Sequence, residues 1–66
     1  MEDVGYSKLK NKSVKIIFLD GTKINVISGL FVNVLEEYKQ ILVIDDRTNR
    51  NVYISILQIQ KIEVLD

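Results

Sequence analysis

The sequence predicts an all-β fold, a small five-stranded barrel preceded by a short N-terminal helix or tail. Val and Ile, which pack well in strands and lose side-chain freedom in helices, supply 18 of the 66 residues. From residue 13 onward, apolar runs of strand length alternate with short polar segments. We therefore divide the chain into residues 1–12, the tail or short helix, and residues 13–66, the barrel domain.

The N-terminal segment, residues 1–12, is polar and only weakly patterned. Beyond the first Met, its apolar side chains are those of Val4, Tyr6 and Leu9. These residues fit one helical turn or a short helix packed over an end of the barrel, and the same composition fits a frayed tail. The sequence does not distinguish the short helix from the frayed tail for this segment.

A hairpin joins the first two predicted strands. Residues 13–19, SVKIIFL, run into Asp20-Gly21, and Asp-Gly between apolar runs is the strongest short-range hairpin signal. The second strand, residues 22–37, is unusually long, and Ser28-Gly29 interrupts it where a bulge or a sharp bend is expected. Its apolar residues are predicted to share one face: Ile24, Val26, Leu30, Val32 and Val34.

Three further strands are predicted after the long one. Residues 40–45 form strand three, and residues 51–56 form strand four after the polar loop DRTNRN. In the tail, residues 57–65, the alternation of apolar residues slips at Gln60-Lys61. A short helical turn near Ile56 to Gln58, before a fifth strand, absorbs that slip and completes a small five-stranded barrel.

The strands VKIIFL and QILVI are apolar on both faces. In the first, Ile16 and Phe18 alternate with Ile17 and Leu19. A barrel of this size has one inside, so the outward faces need another cover. Contacts between subunits supply it, and a homo-oligomer, either a ring or a dimer, is the favoured interpretation. The alternative is a two-layer arrangement in which residues 1–12 cover that face.

Composition argues against several functional classes. The chain has no His and no Cys, so no disulfide, no thiolate metal site and no catalytic His or Cys is available. We expect no enzyme, no cofactor and no metal. Nine basic residues balance nine acidic ones, which argues against a general polyanion-binding surface.

Sequence also bears on location and source. No apolar run reaches the length of a membrane span, and the N-terminal residues lack the apolar stretch of a signal peptide. We therefore expect a cytoplasmic protein that does not bind a membrane. Ten Ile, seven Lys against two Arg, and no Ala or Pro are typical of an AT-rich genome, such as that of a low-GC bacterium or its phages.

The loop between strands three and four is the leading candidate site. It carries both arginines of the chain, Arg47 and Arg50, with Asn49 between them. A guanidinium is a planar fork that suits phosphate or carboxylate and stacks on bases, so the loop is predicted to bind an anion. The alternative is a solvated hairpin loop in which Asp45 and Asp46 neutralise both arginines.

Aromatic residues supply a second group of candidates. Tyr38 and Lys39 lie in the predicted turn of residues 36–39, and a ring beside a cation is an arrangement that single-stranded nucleic-acid binders favour. Tyr53 lies in predicted strand four and is expected to face outward near the arginine loop. The alternative is that these tyrosines only pack against the sheet with exposed hydroxyl groups.

Over residues 4–65 the strand plan resembles the Sm-like proteins, including the bacterial Sm-like RNA chaperone, and more broadly the SH3-like small barrels. The shared features are an N-terminal helix, an LDGT turn after strand one and a second strand bent at Gly29. The resemblance implies a ring that binds single-stranded RNA. The positions at which the family has its RNA-reading Asp and Asn fall near Leu35 and Lys39 in this chain, and neither residue matches. The turn SILQIQ, between strands four and five, lacks the family's basic residue.

Two functions are therefore expected. The first is a non-catalytic, homo-oligomeric module that binds RNA or a small nucleotide-like anion. The second is a protein-interaction or inhibitor module, encoded by a phage or mobile element, that holds a host protein through apolar sheet surface or a sheet edge.

Overall fold

The computed structural model describes residues 4–65, so part of the predicted N-terminal segment and the last residue of the barrel domain lie outside the described residues. It contains one turn of α-helix, five strands and a 3-10 turn. In chain order these are α1 Val4–Ser7, β1 Ser13–Asp20, β2 Lys23–Leu35, β3 Gln40–Asp45, β4 Asn51–Ser55, the 3-10 turn Ile56–Gln58 and β5 Ile59–Val64. The all-β class is confirmed, and the 3-10 turn lies where the slip of the apolar pattern predicted it.

The five strands form one antiparallel sheet in the order β4-β3-β2-β1-β5. Within residues 4–65, β4 and β5 are the two outer strands and no ladder joins them. The sheet is therefore not closed. Strand lengths and apolar alternation predict how many strands form, but closure depends on how two distant edges meet, and the sequence carries no local signal for that.

The β1–β2 hairpin has the two-residue loop that its Asp-Gly signal predicted. Asp20 pairs with Lys23, so Gly21 and Thr22 form the loop. Gly21 has a φ of +68°, and Thr22 is not among the residues with positive φ. This is the pattern of a type II′ turn, in which glycine takes the first loop position without the steric cost of a Cβ.

One face of the sheet carries the core. Its fully buried side chains come from four strands, and Tyr6 and Leu9 pack against them from the N-terminal segment. The described part of that segment therefore lies on the core side and does not cover the opposite face, contrary to the two-layer alternative. The buried side chains are Val14, Ile16, Phe31, Ile41, Val43 and Ile54.

The predicted arrangement of β2 needs two corrections. Its pairing with β1 is regular through Gly29, and the register shift with β3 lies between Phe31 and Asn33 instead. Val32 is thus the extra residue of a bulge, which reverses the alternation. Phe31 and Val34 consequently both pack in the core. The prediction that Val34 shares a face with Ile24, Val26 and Leu30 is wrong.

Gly29 allows a close approach of β2 and β3. It is buried, and a Cβ built on it would collide with the backbone carbonyl oxygen of Ile44. The predicted special backbone position at Ser28-Gly29 is therefore a site of close strand contact, not a bulge.

The sheet face opposite the core is called the outer face. In the β1–β2 pairing, Ile17 is opposite Val26 and Leu19 is opposite Ile24, and these residues alternate with the core positions. No described segment buries them fully: Ile24 is 67% exposed and Val26 is 54% exposed. Apolar side chains on this face are Ile17, Leu19, Ile24, Val26, Leu30, Leu42, Ile44 and Tyr53.

Candidate functional site

Residues 46–50 connect β3 to β4 and form the candidate loop. Its ends are joined by a hydrogen bond from the Asp45 N–H to the Arg50 carbonyl, 2.9 Å long. Inside it, the Asn49 N–H donates to the Asp45 carbonyl at 2.7 Å. Asn49 has a φ of +59°, a left-handed conformation that asparagine tolerates better than most residues. Residues 46–50 are all exposed, as a hairpin loop is expected to be.

The Asp45 side chain fixes the first turn of the loop. Its Oδ1 accepts a hydrogen bond from the Arg47 N–H at 2.8 Å. This is the local side-chain-to-backbone bond two residues on that aspartate makes in turns. A second anchor ties the loop to β2, since the Asp46 N–H donates to the Ser28 carbonyl at 3.0 Å. Backbone and carboxylate groups therefore hold the loop, and neither guanidinium is needed to do so.

Both guanidinium groups are exposed. Across residues 4–65 the ion pair that forms is between Lys61 and Glu63, and neither Arg47 nor Arg50 has a carboxylate within ion-pair distance. Pairing with Asp45 or Asp46, the alternative weighed for this loop, is not seen. Asp45 and Asp46 still offset both positive charges, so residues 45–50 together carry no net charge.

The two tyrosine candidates lie at different places along the β3–β4 hairpin. Tyr53 is opposite Leu42 on the outer face, is 55% exposed, and lies three residues from Arg50. Tyr38 and Lys39 lie in the turn before β3, at the far end of that strand from the loop. Six residues of strand separate these ends by roughly 20 Å. Within one chain, the structure therefore groups Arg47, Asn49 and Arg50, places Tyr53 about midway along the hairpin, and does not bring Tyr38 and Lys39 to the loop.

The Tyr38–Lys39 turn has a geometry of its own. Lys39 has a φ of +53°, and its carbonyl accepts a hydrogen bond of 2.9 Å from the Ile56 N–H at the start of the 3-10 turn. Next to Ile56, Leu57 is the most exposed of the large apolar side chains that the structure describes, at 85%. Tyr38 is 69% exposed. The sequence predicted the helical turn that contains Leu57, but it gave no sign that this side chain would be exposed.

Residues 4–65 contain no cluster of three or more His, Cys, Asp or Glu side chains that is placed to hold a metal ion. In the same residues, no helix has both the length and the apolar character needed to cross a bilayer.

No protein-family model matches this chain, and comparisons with curated proteins and with solved structures found no match either.

Proposed function

We propose that this chain is a non-catalytic binding module that works as a homo-oligomer and binds RNA or a small nucleotide-like anion at the β3–β4 loop. One observation carries the proposal. Arg47 and Arg50 both project from a loop that is held by backbone hydrogen bonds and the Asp45 carboxylate. Among the described residues no carboxylate forms an ion pair with either guanidinium.

Chemistry of the loop suits a phosphate. Each guanidinium offers paired N–H donors that match two phosphate oxygens, and such charge-assisted bonds are stronger than neutral ones. The Asn49 side-chain amide adds neutral donors and an acceptor between them. Tyr53 presents an exposed ring on the outer face of β4, on which a base stacks.

Assembly is part of the proposal because one loop is a weak site. With Asp45 at its start, each loop has two cations and two anions, so one copy attracts a polyanion poorly. Several loops on one assembly bind several phosphates of the same strand, and each later contact benefits from a high effective concentration. In the proposal Tyr38 and Lys39, which one chain does not place beside the loop, contact the same nucleic-acid strand at a separate point of the assembly.

The proposed architecture is a small Sm-like or SH3-like barrel that assembles as a ring or a dimer. Support comes from the order of elements, a helical turn followed by five strands, and from β2, which contacts β3 closely at Gly29. The exposed apolar side chains of the outer face support an assembly that covers them. We also propose that the protein is located in the cytoplasm.

The test is binding of fluorescein-labelled single-stranded RNA at two salt concentrations. We expect binding by the wild-type chain that weakens as salt rises, because phosphate contacts release counterions. Arg47→Ala/Arg50→Ala should bind at least tenfold more weakly, while the control Lys8→Ala/Lys10→Ala, which removes two exposed charges elsewhere, should change binding less than threefold. Wild-type chain that binds neither RNA nor nucleotides in low salt would exclude the anion site.

A second candidate function is a protein-interaction or inhibitor module, encoded by a phage or mobile element, that holds a host protein. The exposed apolar outer face favours it, in particular Ile24 and Val26. The same RNA experiment separates the two candidates. Binding that does not change in Arg47→Ala/Arg50→Ala, or no binding at all, favours the protein-interaction module.

A further inference from the structure

The first half of β2 has an open edge. β3 pairs with β2 from Gly29 to Leu35, so in the described chain Lys23–Ser28 has β1 as its one ladder partner. The last link between this half of β2 and the β3 side is the hydrogen bond from the Asp46 N–H to the Ser28 carbonyl. Beyond that bond, toward Lys23, the side of the strand away from β1 is unpaired.

The orientation of the open backbone groups follows from that last bond. The Ser28 carbonyl points away from β1, because it accepts from Asp46. In an antiparallel strand, the N–H and C=O of one residue point to the same side, and the pattern repeats every two residues. Ile24 and Val26 therefore each present a donor and an acceptor to the open side, and no hydrogen bond within residues 4–65 uses them.

This edge lacks the usual protection against pairing. Edge strands in soluble proteins typically carry a proline, a bulge or charged side chains. Here the pairing with β1 is regular from Lys23 to Leu30, and the chain has no proline. Lys23 is the one charged residue of this half of β2, and it lies at the strand's first position. The residues between it and Ser28 are Ile24, Asn25, Val26 and Ile27, and the two that present open backbone groups are also the exposed apolar ones.

We propose that this edge pairs with the same edge of a second copy, antiparallel, about a two-fold axis at Asn25. This inference rests on the self-association in the proposed function and assigns a surface to it. In that register Ile24 is opposite Val26 of the second copy, and Val26 is opposite its Ile24. All four open groups on each copy then find partners, which gives four hydrogen bonds across the axis.

Side chains agree with this register on both faces. Opposite residues share a face, so Ile24 and Val26 of the two copies form two apolar cross-strand pairs next to Ile17 and Leu19. On the other face the two Asn25 amides meet at the axis and can bond to each other. Lys23 is opposite Ile27, so no like charges face each other.

A second copy fits this edge better than an unrelated strand, because the segment is complementary to itself in sequence. The interface is short and lies at the small end of specific protein interfaces, so we expect a dissociation constant of about micromolar or weaker. The dimer extends the sheet through β2 of both copies.

Disulfide trapping tests the register directly, since the chain has no cysteine of its own. In the proposed dimer the two Asn25 residues form a non-hydrogen-bonded pair with Cα atoms about 4.5 Å apart, a distance that a disulfide spans. The two Lys23 residues are roughly 13 Å apart, which it does not span. On air oxidation at about 50 µM, near the expected dissociation constant, Asn25→Cys should form covalent dimer at least tenfold faster than Lys23→Cys.

The exposure of the two positions favours the control variant, because Lys23 is exposed whereas Asn25 is half-buried. Simple collisions between monomers therefore favour a disulfide at position 23. Equal rates for the two variants, or a faster rate for Lys23→Cys, would overturn the inference.

Sedimentation velocity of Val26→Pro provides the second test. Proline removes an N–H that points to the open edge and not to β1, so the variant should keep the wild-type far-UV circular dichroism. We expect it to be monomeric at concentrations where wild-type chain and Leu57→Ser, altered on the 3-10 turn, both associate. Association of Val26→Pro at the wild-type level overturns this inference alone.

A failure of the proposed oligomer is distinguished from a failure of the edge contact by the behaviour of the wild-type chain. If the wild-type chain sediments as a monomer up to about 0.5 mM, well above the expected dissociation constant, both this inference and the proposed oligomer are wrong. RNA binding that depends on Arg47 and Arg50 is measured separately and survives loss of the edge contact as a one-loop interaction.

Discussion

At the scale of single residues, Gly29 gives the sharpest expectation for stability. An added Cβ would collide with the Ile44 carbonyl oxygen and stand 2.9 Å from the Ile44 carbonyl carbon and 3.2 Å from the Asp45 Cα. Because these are backbone atoms, β3 must move, and Gly29→Ala should lose about 2 to 3 kcal/mol of unfolding free energy. Urea denaturation measures this loss.

A second glycine is the control for that substitution. Gly21 needs a positive φ but has open space around it. A side chain at this position strains the backbone but meets no other atoms, so Gly21→Asn should cost about 1 kcal/mol, less than Gly29→Ala. Comparable losses for Gly21→Asn and Gly29→Ala would contradict the close approach of β2 and β3.

Asp45 allows the roles of its charge and of its acceptor oxygen to be separated. Its Oδ1 accepts from the Arg47 N–H, a role that an amide oxygen can also fill. Asp45→Ala should therefore cost about 0.5 to 1.5 kcal/mol in thermal or urea unfolding. Asp45→Asn should stay within about 0.5 kcal/mol of wild type, since the hydrogen bond is kept. If both variants lose the same stability, the carboxylate charge matters and the loop is held differently.

At the scale of elements, β2 shows how far the sequence predicts the fold. The strand positions and the 3-10 turn follow from local composition, and the structure agrees with them. The bulge at Val32 does not follow, because valine gives no local sign of a bulge and the glycine three residues earlier gives a misleading one. The register between β2 and β3 is the one in which Phe31 and Val34 both pack in the core. That packing depends on the whole sheet and not on the local sequence.

The candidate site was predictable to the same degree. Sequence order alone places Arg47, Asn49 and Arg50 in one loop. Whether a guanidinium pairs with Asp45 depends on side-chain geometry, and the sequence does not carry that information. The distance between Tyr38 and the arginine loop, by contrast, follows from the predicted length of strand three.

Deletion of Val32 tests the bulge. Without the extra residue Phe31 and Val34 are two positions apart, so a strictly alternating β2 keeps both in the core with the same partners on β3. We expect the deletion variant to fold and to lose less than about 2 kcal/mol in urea denaturation. The control is deletion of Ile27 in the regular part of β2, which moves the residues on one side of it to the opposite face and should cost at least about 3 kcal/mol or prevent folding. Equal losses for the two deletions would contradict a bulge at Val32.

The ladder of β1 and β5 gives an expectation for pH. A hydrogen bond from Lys61 lowers the pKa of Glu63 below its usual value of 4.5, and the charges of Lys61 and Lys15 act in the same direction. A lowered folded-state pKa stabilises the fold above the unfolded-state pKa, and this contribution is lost as pH falls through the folded-state pKa.

Glu63→Gln should consequently be slightly less stable than wild type at pH 7. The difference should shrink once the pH falls below about 4.5, and also in about 1 M salt, since the pair is largely exposed. Glu36→Gln in the exposed β2–β3 turn serves as the control. The measurement is the melting temperature of wild type and both variants between pH 2 and pH 7. A difference between wild type and Glu63→Gln that does not change with pH would refute the stabilising role of the Lys61–Glu63 pair.

At the scale of the whole molecule, the small core bears on self-association. A chain of 66 residues buries little surface by itself, and among the described residues six apolar side chains are buried while the outer face leaves further apolar surface exposed. Pairing of two open edges adds backbone hydrogen bonds and covers Ile24 and Val26. Folding and association are then linked, because a partner that binds the folded state stabilises it by mass action.

This linkage predicts a melting temperature that depends on chain concentration. If two folded chains dissociate as they unfold, a tenfold rise in concentration stabilises each chain by about 0.7 kcal/mol, half of the roughly 1.4 kcal/mol for one decade per dimer. For a domain of this size, that amounts to a rise of about 3 to 5 °C between 0.1 and 1 mM. Differential scanning calorimetry at the two concentrations measures it. Val26→Pro should melt at the same temperature at both, whereas Leu57→Ser should keep the wild-type dependence. If wild-type chain melts independently of concentration, the open edge of β2 contributes nothing to the stability of the fold.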